Sequence, residues 1–314
     1  MRVLVVGDGA LGQVFGIRLG FGGAAVSYLV KPGRTGWADT GRTLYRLRRL
    51  GKPVTQRLRP EGVHAETPAG TWDMVWLCVS STALRGSWLS ELRNAIGTAT
   101  VVSIGQDLHD RAVLEEVWPA EQIVQVAPSM FAYSAPLAAE VPTPGIAYWI
   151  PPGSTLEVLG DRADRTRAEA VATALRAGGL RARPTTRADA GEGIAALTMP
   201  YIAALEVANW SLPALLSDVD PALEAAAEAS AIVAARIGGR RRPRTPKSVV
   251  KMALRLLPAL TPFDLARYLE AHFTKVADQT RLMLDGWVAE GEARALPVTR
   301  LRELRSGLPV RTPL

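Results

Sequence analysis

Three glycines near the start of the chain have the spacing of a phosphate-binding loop. Gly7, Gly9 and Gly12 form a G-x-G-x-x-G pattern between a short apolar run and a helix-like segment. In that context the first glycine allows a tight turn, the second lets a pyrophosphate approach the backbone, and the third lets helix and strand pack closely. We therefore predict a dinucleotide-binding loop that comprises Gly7, Asp8, Gly9, Ala10, Leu11 and Gly12.

The end of the second predicted strand indicates which dinucleotide to expect. An NAD site places an acidic residue there for the ribose 2′-hydroxyl, whereas "YLVKPGR" (28–34) offers Lys31 and Arg34 and no acid. A cation pairs with the 2′-phosphate that a carboxylate would repel. The sequence therefore predicts NADP(H); the alternative is that Lys31 is only a solvated strand-end lysine.

A late segment, "EAHFTKVADQTRLMLDGW" (270–287), groups three polar residues that could act on a substrate. On one continuous helix, His272, Lys275 and Gln279 fall within roughly 60° of each other, at the edge of an apolar stripe. Lys275 is then a candidate proton donor, with His272 and Gln279 orienting the substrate. The alternative is an ordinary edge lysine whose stem covers apolar surface.

The order of segments predicts an α/β fold with two domains. Strand-like and helix-like segments alternate in the first half, and Ala-rich helical segments follow. This order favours an N-terminal Rossmann-type, doubly wound parallel sheet followed by an all-α C-terminal domain, with bounds 1–187 and 188–314. Residues 43–59 are predicted to form a hairpin, and "GIAYWIP" (145–151) and "TLEVLG" (155–160) to extend the sheet.

Charge is concentrated in two segments of a chain whose net charge is +7. Residues 31–59 hold nine Lys/Arg and one acid, and residues 236–256 hold eight Lys/Arg and no acid. Two local basic patches suit a cofactor phosphate or an anionic small molecule. The second patch includes "RRRPRTPK" (240–247), but no recognised nucleic-acid-binding motif or interleaved aromatics accompany it, so we expect no nucleic-acid partner.

Composition also excludes several classes of protein. No stretch approaches the ~18 apolar residues of a membrane span, so no membrane partner is expected. A single cysteine, Cys78, excludes an intramolecular disulfide, and three scattered histidines make a metal site improbable. We expect a cytoplasmic protein without a metal. The Ala-rich segments 189–212 and 220–238 carry apolar surface that a homodimer would bury.

Several motifs together resemble the ketopantoate reductase (2-dehydropantoate 2-reductase) family. The likeness includes "GxGALGxxFG" at 7–16, "VxxLVKxGR" at 26–34, "DMVWLCVS" at 73–80 and "VVSIGQDL" at 101–108, followed by an all-helical second half. The resemblance implies a Rossmann domain with a helical substrate domain, NADPH as cofactor, and reduction of a 2-keto acid or similar group.

The resemblance implies cofactor roles at further positions. It assigns the glycine loop and Lys31 to the cofactor. Ser80 stands where the family usually has a second lysine near the cofactor, and Gln106 stands where it has an asparagine–glycine pair beside the nicotinamide.

The catalytic positions that the resemblance implies carry other residues in this chain. The family's proton-donating lysine falls on Gly191, its two downstream asparagines on Ala195 and Met199, and its late glutamate near Thr280. A glycine cannot protonate an alkoxide. We therefore predict an NADPH-dependent oxidoreductase that reduces a carbonyl or imine of a small molecule other than ketopantoate. The alternative is a non-catalytic NADPH-binding sensor or scaffold protein.

Other polar residues of the helical half are weaker donor candidates. Glu192, Tyr201 and Asn209 lie in or beside the first long helical segment. We expect Glu192 to be a favourable charge at a helix start, Tyr201 to be packed in the core, and Asn209 to be a hydrogen-bonded polar group at a helix end.

Overall fold

The chain forms two compact units in the computed structural model, which describes residues 1–161, 165–186, 191–239 and 245–309. The first unit comprises Met1–Gln106 and Asp110–Gly191, and the second comprises Asp107–His109 and Glu192–Leu314. The predicted boundary at 187/188 lies outside the described residues. The short segment Asp107–His109 belongs with the helical unit, which the sequence did not predict.

The first unit is built on a large sheet with the strand order β12-β11-β8-β7-β6-β1-β2-β5. Neighbouring strands are parallel, except that β11 runs antiparallel to β8. The twelve strands of the described residues are β1 (Arg2–Val6), β2 (Ala25–Leu29), β3 (Arg42–Arg46), β4 (Val54–Leu58), β5 (Gly62–His64), β6 (Met74–Leu77), β7 (Thr100–Ser103), β8 (Ile123–Ala127), β9 (Phe131–Ala135), β10 (Gly145–Trp149), β11 (Leu156–Leu159) and β12 (Ala182–Thr185).

Helices cover both faces of this sheet. Val3 and Val5 of β1 pack with Phe15 on one face, whereas Leu4 packs with Leu92 on the other. Because both faces are covered, the central strands are buried along nearly their whole length and are mostly apolar. The α-helices are α1 (Ala10–Phe21), α2 (Trp88–Ile96), α3 (Asp110–Glu115), α4 (Thr166–Ala177), α5 (Glu192–Val207), α6 (Leu212–Ser217), α7 (Asp220–Arg236), α8 (Lys247–Leu260), α9 (Leu265–Lys275), α10 (Ala277–Ala293) and α11 (Thr299–Gly307). The predicted fold class is confirmed.

A second sheet, with the order β4-β3-β10-β9, lies in the same unit. The predicted hairpin is confirmed as β3 and β4, which pair antiparallel. The prediction that 145–151 extends the main sheet is wrong, because β10 pairs with β3 and β9. A buried polar network fixes this arrangement: the Arg18 guanidinium donates to the Tyr148 hydroxyl at 2.7 Å, and that hydroxyl donates to Gln56 at 2.6 Å. Residues 155–160 do extend the main sheet, as β11.

The second unit is helical, and its two Ala-rich helices pack against each other. Ala196 and Ala203 of α5 and Ala225 and Ala229 of α7 are all fully buried in one core with residues of α10 and α11. Small side chains let the two helix backbones approach closely. The apolar surface that we had expected to promote a homodimer is therefore largely consumed inside the unit, and the homodimer stays a prediction without that support.

The late polar segment is two helices and not one. α9 ends at Lys275 and α10 begins at Ala277, with Val276 between them at φ −117° and ψ 31°. No glycine or proline marks the break in the sequence. Asp278 lies in the first turn of α10, where a carboxylate is favourable, and its Oδ1 accepts a hydrogen bond from the Gln279 amide at 2.9 Å.

The packing of α1 on β2 gives a test of the first unit. A Cβ on Gly16 would lie 1.8 Å from the Tyr28 hydroxyl oxygen, so Gly16→Ala forces a shift in a closely packed core. We expect a loss of about 2 kcal/mol in the free energy of unfolding, measured by denaturant titration. Gly20→Ala is the matched control, because nothing lies within 4 Å of its Cβ position; it should be neutral or slightly stabilising. Equal effects of the two variants would contradict the packing.

Candidate dinucleotide site and the polar groups of the helical unit

The glycine loop joins β1 to α1 and has little room for side chains at two of its glycines. Gly7 has a φ of 97°, and a Cβ there would lie 2.7 Å from the Cys78 carbonyl oxygen. A Cβ on Gly12 would lie 2.2 Å from the Gly7 carbonyl oxygen. Both positions therefore require glycine, one for its left-handed backbone and the other for the close approach of helix to strand.

Gly9 differs from its two neighbours because the space beside it is open. No atom of the described residues lies within 4 Å of its Cβ position. Gly9 is also the N-cap of α1, whose first turn has no acidic residue and no side-chain cap. The first amides of a helix lack intrahelical partners and favour an anion. The loop therefore fits a pyrophosphate, which a side chain at this position would obstruct.

The other cofactor candidates of this unit follow the carboxyl ends of neighbouring parallel strands. The ends of β2, β1, β6 and β7 are aligned, with Leu29 opposite Val6, Val6 opposite Leu77, and Leu77 opposite Ser103. The candidates Lys31, Ser80 and Gln106 come two or three residues after β2, β6 and β7. Chain order reverses direction between β1 and β6, which is the switch point where open α/β sheets bind ligands. The structure thus brings these sequence-predicted residues to one edge of the sheet.

Asp8, inside the glycine loop, gathers two arginines. Its carboxylate is almost fully buried, with Arg34 Nη2 at 3.0 Å and Arg42 Nη2 at 3.8 Å. Both arginines keep substantial exposure, and Arg42 also lies over the Trp37 ring at 5.2 Å. Arg42 was not among the predicted site residues, although it belongs to the basic segment 31–59. Asp8 therefore holds two cations beside the phosphate loop.

A second buried carboxylate supports the loops that follow β6 and β7. Asp110 is fully buried, accepts a hydrogen bond from the Ser81 hydroxyl at 2.7 Å, and pairs with Arg85 at 3.1 Å. A Cβ on Gly105 would lie 2.1 Å from the Asp110 carboxylate, so this glycine allows the loop to pass close to it. Asp110 thereby fixes the residues next to Ser80 and Gln106.

Burial raises the pKa of the Cys78 thiol, which lies beneath the glycine loop. The thiol therefore stays protonated at neutral pH. Cys78 packs as a small apolar residue and offers no nucleophile to the site.

The positions where the resemblance implies catalytic groups carry a glycine or buried side chains. Ala195 and Met199 are buried in the core of the helical unit. Thr280 is fully buried, and its hydroxyl has no hydrogen-bond partner among the described residues. In the first unit, a Cβ on Gly191 would meet only the Ala127 Cβ, at 3.9 Å.

The predicted trio of His272, Lys275 and Gln279 does not share one helix. His272 and Lys275 belong to the last turns of α9, whereas Gln279 belongs to α10, so the angular argument for a common face does not apply. His272 stacks on Tyr268 and contacts Phe273 edge-on. Burial, with a smaller contribution from the Lys275 charge, lowers the pKa of His272 to about 4. Its imidazole is therefore neutral at pH 7, while Lys275 is exposed.

A charged cluster that the sequence did not reveal surrounds His109 in the helical unit. The His109 Nδ1 lies 3.9 Å from Asp107 Oδ1, and its Nε2 lies 3.9 Å from Glu290 Oε2. Glu290 also pairs with Arg236 at 3.6 Å and Arg294 at 2.6 Å, and these arginines lower its pKa. The only sequence signal was that Asp107 and His109 closely follow Gln106.

The remaining weak candidates include one with a clear structural role. Asn209 has a φ of 50° just after α5, and its amide donates to the Glu206 carbonyl at 3.1 Å. Asparagine tolerates this left-handed geometry at a helix end, so the expected capping role accounts for it.

The described residues contain no group of three or more His, Cys, Asp or Glu side chains placed to hold a metal ion. No helix among them has both the length and the apolar character needed to cross a bilayer.

Comparison with known proteins shows a shared fold. No protein-family profile and no curated protein matches the sequence. A 2-dehydropantoate 2-reductase from Geobacter metallireducens is 18% identical with a TM-score of 0.74, covering 98% of this chain and 99% of the other. A ketopantoate reductase from Ralstonia eutropha is 18% identical with a TM-score of 0.71, covering 98% and 96%. A ternary D-mandelate dehydrogenase structure with NADH and anilino(oxo)acetate is 14% identical with a TM-score of 0.73, covering 98% and 97%.

The partly buried imidazole of His272 makes the stability of the protein sensitive to acid. Its pKa is about 4 in the fold and about 6.5 in an unfolded chain, so below pH 6.5 the unfolded state binds the extra proton. We expect this residue to cost up to about 3 kcal/mol of stability as the pH falls from 6.5 to 4. Denaturant titrations across this range should show the loss.

His272→Phe is the test variant, since it keeps an aromatic ring on Tyr268 and removes the titrating group. Its stability should fall less steeply with acid than that of the parent chain. Lys275→Met removes the nearby charge and should reduce the acid sensitivity only slightly, because burial is the larger cause. If the free energy of unfolding of His272→Phe fell with acid as steeply as that of the parent chain, His272 would not be the group responsible.

Proposed function

We propose that the protein is an NADP-dependent oxidoreductase that reduces a carbonyl or imine group of a small molecule. The observation that carries the proposal is the glycine loop between β1 and α1, with open space beside Gly9, at the switch point of the sheet. The solved structures that share the fold are named as 2-dehydropantoate 2-reductases and D-mandelate dehydrogenase, the latter with NADH bound. These names support the reaction class.

The residues of the first unit have separate roles toward the cofactor in this proposal. The α1 amides and Gly9 hold the pyrophosphate, and Gln106 lies beside the nicotinamide. A bound nicotinamide supplies the hydride. Ser80 contributes a hydroxyl from the loop after β6, which Asp110 fixes through Ser81.

The preference for NADP over NAD rests on charge. Lys31 follows β2, and Arg34 and Arg42 converge on Asp8 in the adjacent loop. No acidic side chain follows β2 directly to bind a ribose 2′-hydroxyl. Charge-assisted hydrogen bonds from these cations favour a 2′-phosphate.

We further propose a substrate that is less polar than ketopantoate. The positions that would hold a hydroxylated keto acid carry Ala195, Met199 and Thr280, all buried, and the lysine position carries Gly191. Hydrogen-bonding groups that a polar substrate requires are therefore missing at those positions.

Two residues are candidate donors of the proton that must accompany the hydride. Lys275 is the sequence-based candidate. His109 is the second candidate, because two carboxylates flank its ring and it lies three residues after Gln106. We propose His109 as the donor and keep Lys275 as the alternative.

A steady-state assay decides between an enzyme and the alternative sensor. The purified protein is incubated with NADPH and a panel of 2-keto acids, ketones, aldehydes and cyclic imines, and absorbance of the reduced nicotinamide is followed. Turnover on one panel member beyond ketopantoate supports the proposal. Binding of NADPH without consumption across the panel would instead favour a sensor or scaffold protein.

The proposal also covers the location and the partners of the protein. We propose a cytoplasmic protein that acts on a small molecule, assembles as a homodimer and binds no nucleic acid. The segment 240–244, which holds four of the eight Lys/Arg of the second basic segment (236–256), lies outside the described residues.

Cofactor selection can be tested at Lys31. We expect Lys31→Ala to raise the Kd for NADPH about tenfold or more and to leave the Kd for NADH nearly unchanged, because only NADPH carries the 2′-phosphate. Fluorescence titration of both nucleotides measures the two constants. Lys52→Ala is the matched control, since it removes an equal charge from the exposed β3–β4 loop. An equal loss for both nucleotides would contradict the NADP preference.

The proton donor can be identified by comparing two variants. We expect His109→Asn to lower kcat by about a hundredfold or more without changing the Kd for NADPH, as removal of a general acid does. Lys275→Met should retain the parent kcat. Loss of kcat in Lys275→Met alone would favour the alternative donor. Thermal unfolding of both variants separates loss of fold from loss of chemistry.

A further inference from the structure

α8 differs from the other long helices of the chain because none of its fourteen residues is buried. Five large apolar side chains on it are exposed: Val249 at 45%, Met252 at 57%, Leu256 at 53%, Leu257 at 38% and Leu260 at 43%. Large apolar side chains that are exposed together mark a surface that meets another apolar phase or molecule.

Four of these five apolar residues form one stripe on the outward side of the helix, and Leu257 lies beside it. At about 100° per residue, Val249, Met252, Leu256 and Leu260 fall within an arc of roughly 80°. Val250, Lys251 and Leu254 are partly buried and lie roughly opposite this arc. The helix therefore rests on its own unit through one side and turns the apolar stripe away from it.

The charged residues of α8 are all basic. Lys247, Lys251 and Arg255 follow an i, i+4 spacing along one flank, and the helix contains no acidic residue. Lys247 pairs with Asp220 at the start of α7. The chain before α8 adds Arg240, Arg241, Arg242 and Arg244 by sequence, although these lie outside the described residues. An apolar stripe beside such a cationic flank is the pattern of a helix that lies in a membrane interface.

We propose that α8 docks the protein on an anionic phospholipid bilayer. The stripe enters the boundary between headgroups and acyl chains, while Arg255, which is exposed at the edge of the stripe, reaches the lipid phosphates. The sequence-based expectation of no membrane partner considered only segments that cross a bilayer, and a helix that lies on the surface needs no such length. The inference does not depend on the proposed oxidoreductase function.

Charge and area favour lipid over the other occupants of the stripe. A nucleic acid would pair with the cations but would leave four large apolar side chains in water. A second copy would bring the same basic helix, which offers no acidic residue for the cations to pair with. A helix of fourteen residues is about 21 Å long, and its stripe alone falls short of the roughly 800 Å² per partner of an ordinary interface.

The test is retention of the full-length protein on vesicles. Sedimentation with phosphatidylcholine vesicles containing about one third phosphatidylglycerol is compared with sedimentation on pure phosphatidylcholine. We expect binding to the anionic vesicles that weakens with salt, and little binding to the neutral ones. Leu256→Asp should lower the partition coefficient at least tenfold, and Arg255→Gln about fivefold.

The matched control is Val207→Asp, which introduces the same charge at an apolar residue of α5 that is 46% exposed. It should bind within about twofold of the parent, and thermal unfolding confirms that all three variants fold. No retention by anionic vesicles, equal retention by neutral vesicles, or parent-like binding by Leu256→Asp would overturn the proposal. So would a parent dimer that Leu256→Asp converts to a monomer without any vesicle binding, because a second copy would then cover the stripe.

Discussion

The close approach of α1 to β1 is the contact on which the candidate site depends. Gly12 lies so near the Gly7 carbonyl that a Cβ would be 2.2 Å from it, and Gly16 lies similarly near the Tyr28 hydroxyl. This packing directs the start of α1 toward the edge where the parallel strands end. Without it the helix amides would be displaced from the loop, and the open space beside Gly9 would have no donors around it. The close packing of α1 in the first unit is therefore a condition for the candidate phosphate loop, whatever side chains surround it.

Electrostatics at this edge follow from where the carboxylates are buried. Asp8 and Asp110 are both buried, and each is matched by arginines that remain partly exposed. Burying an acid is costly unless it is paired, so each carboxylate holds a cation in a defined place. Asp8 thus organises positive charge beside the phosphate loop, and Asp110 stiffens the loops after β6 and β7. Acids at a site for an anionic cofactor are compatible with binding because their charge is already neutralised.

The sequence was informative where local pattern determines structure. The glycine loop, the hairpin of β3 and β4, and the order of strands followed by helices were predictable, since glycine spacing and apolar runs are local properties. The partner of β10 was not, because strand character says nothing about which sheet a strand joins. The helix break at Val276 could not be predicted, because no glycine or proline marks it. Since the break separates α9 from α10, His272 and Gln279 do not share a helix face. The grouping of His109 with Glu290 joins residues 181 positions apart, which no spacing rule anticipates.

The two units differ in what defines their candidate residues. In the first unit the candidate dinucleotide loop is set mainly by backbone and glycine, and Lys31, Ser80 and Gln106 follow the ends of β2, β6 and β7. In the helical unit the candidates depend on individual side chains, and Ala195 and Met199 stand at positions for which the resemblance implies polar groups. Shared fold at 18% identity constrains the first unit far more than the second, because a fold positions backbone and leaves side chains free. In the helical unit the cluster around His109 places an imidazole between two carboxylates, and this grouping depends on side chains that a shared fold does not specify.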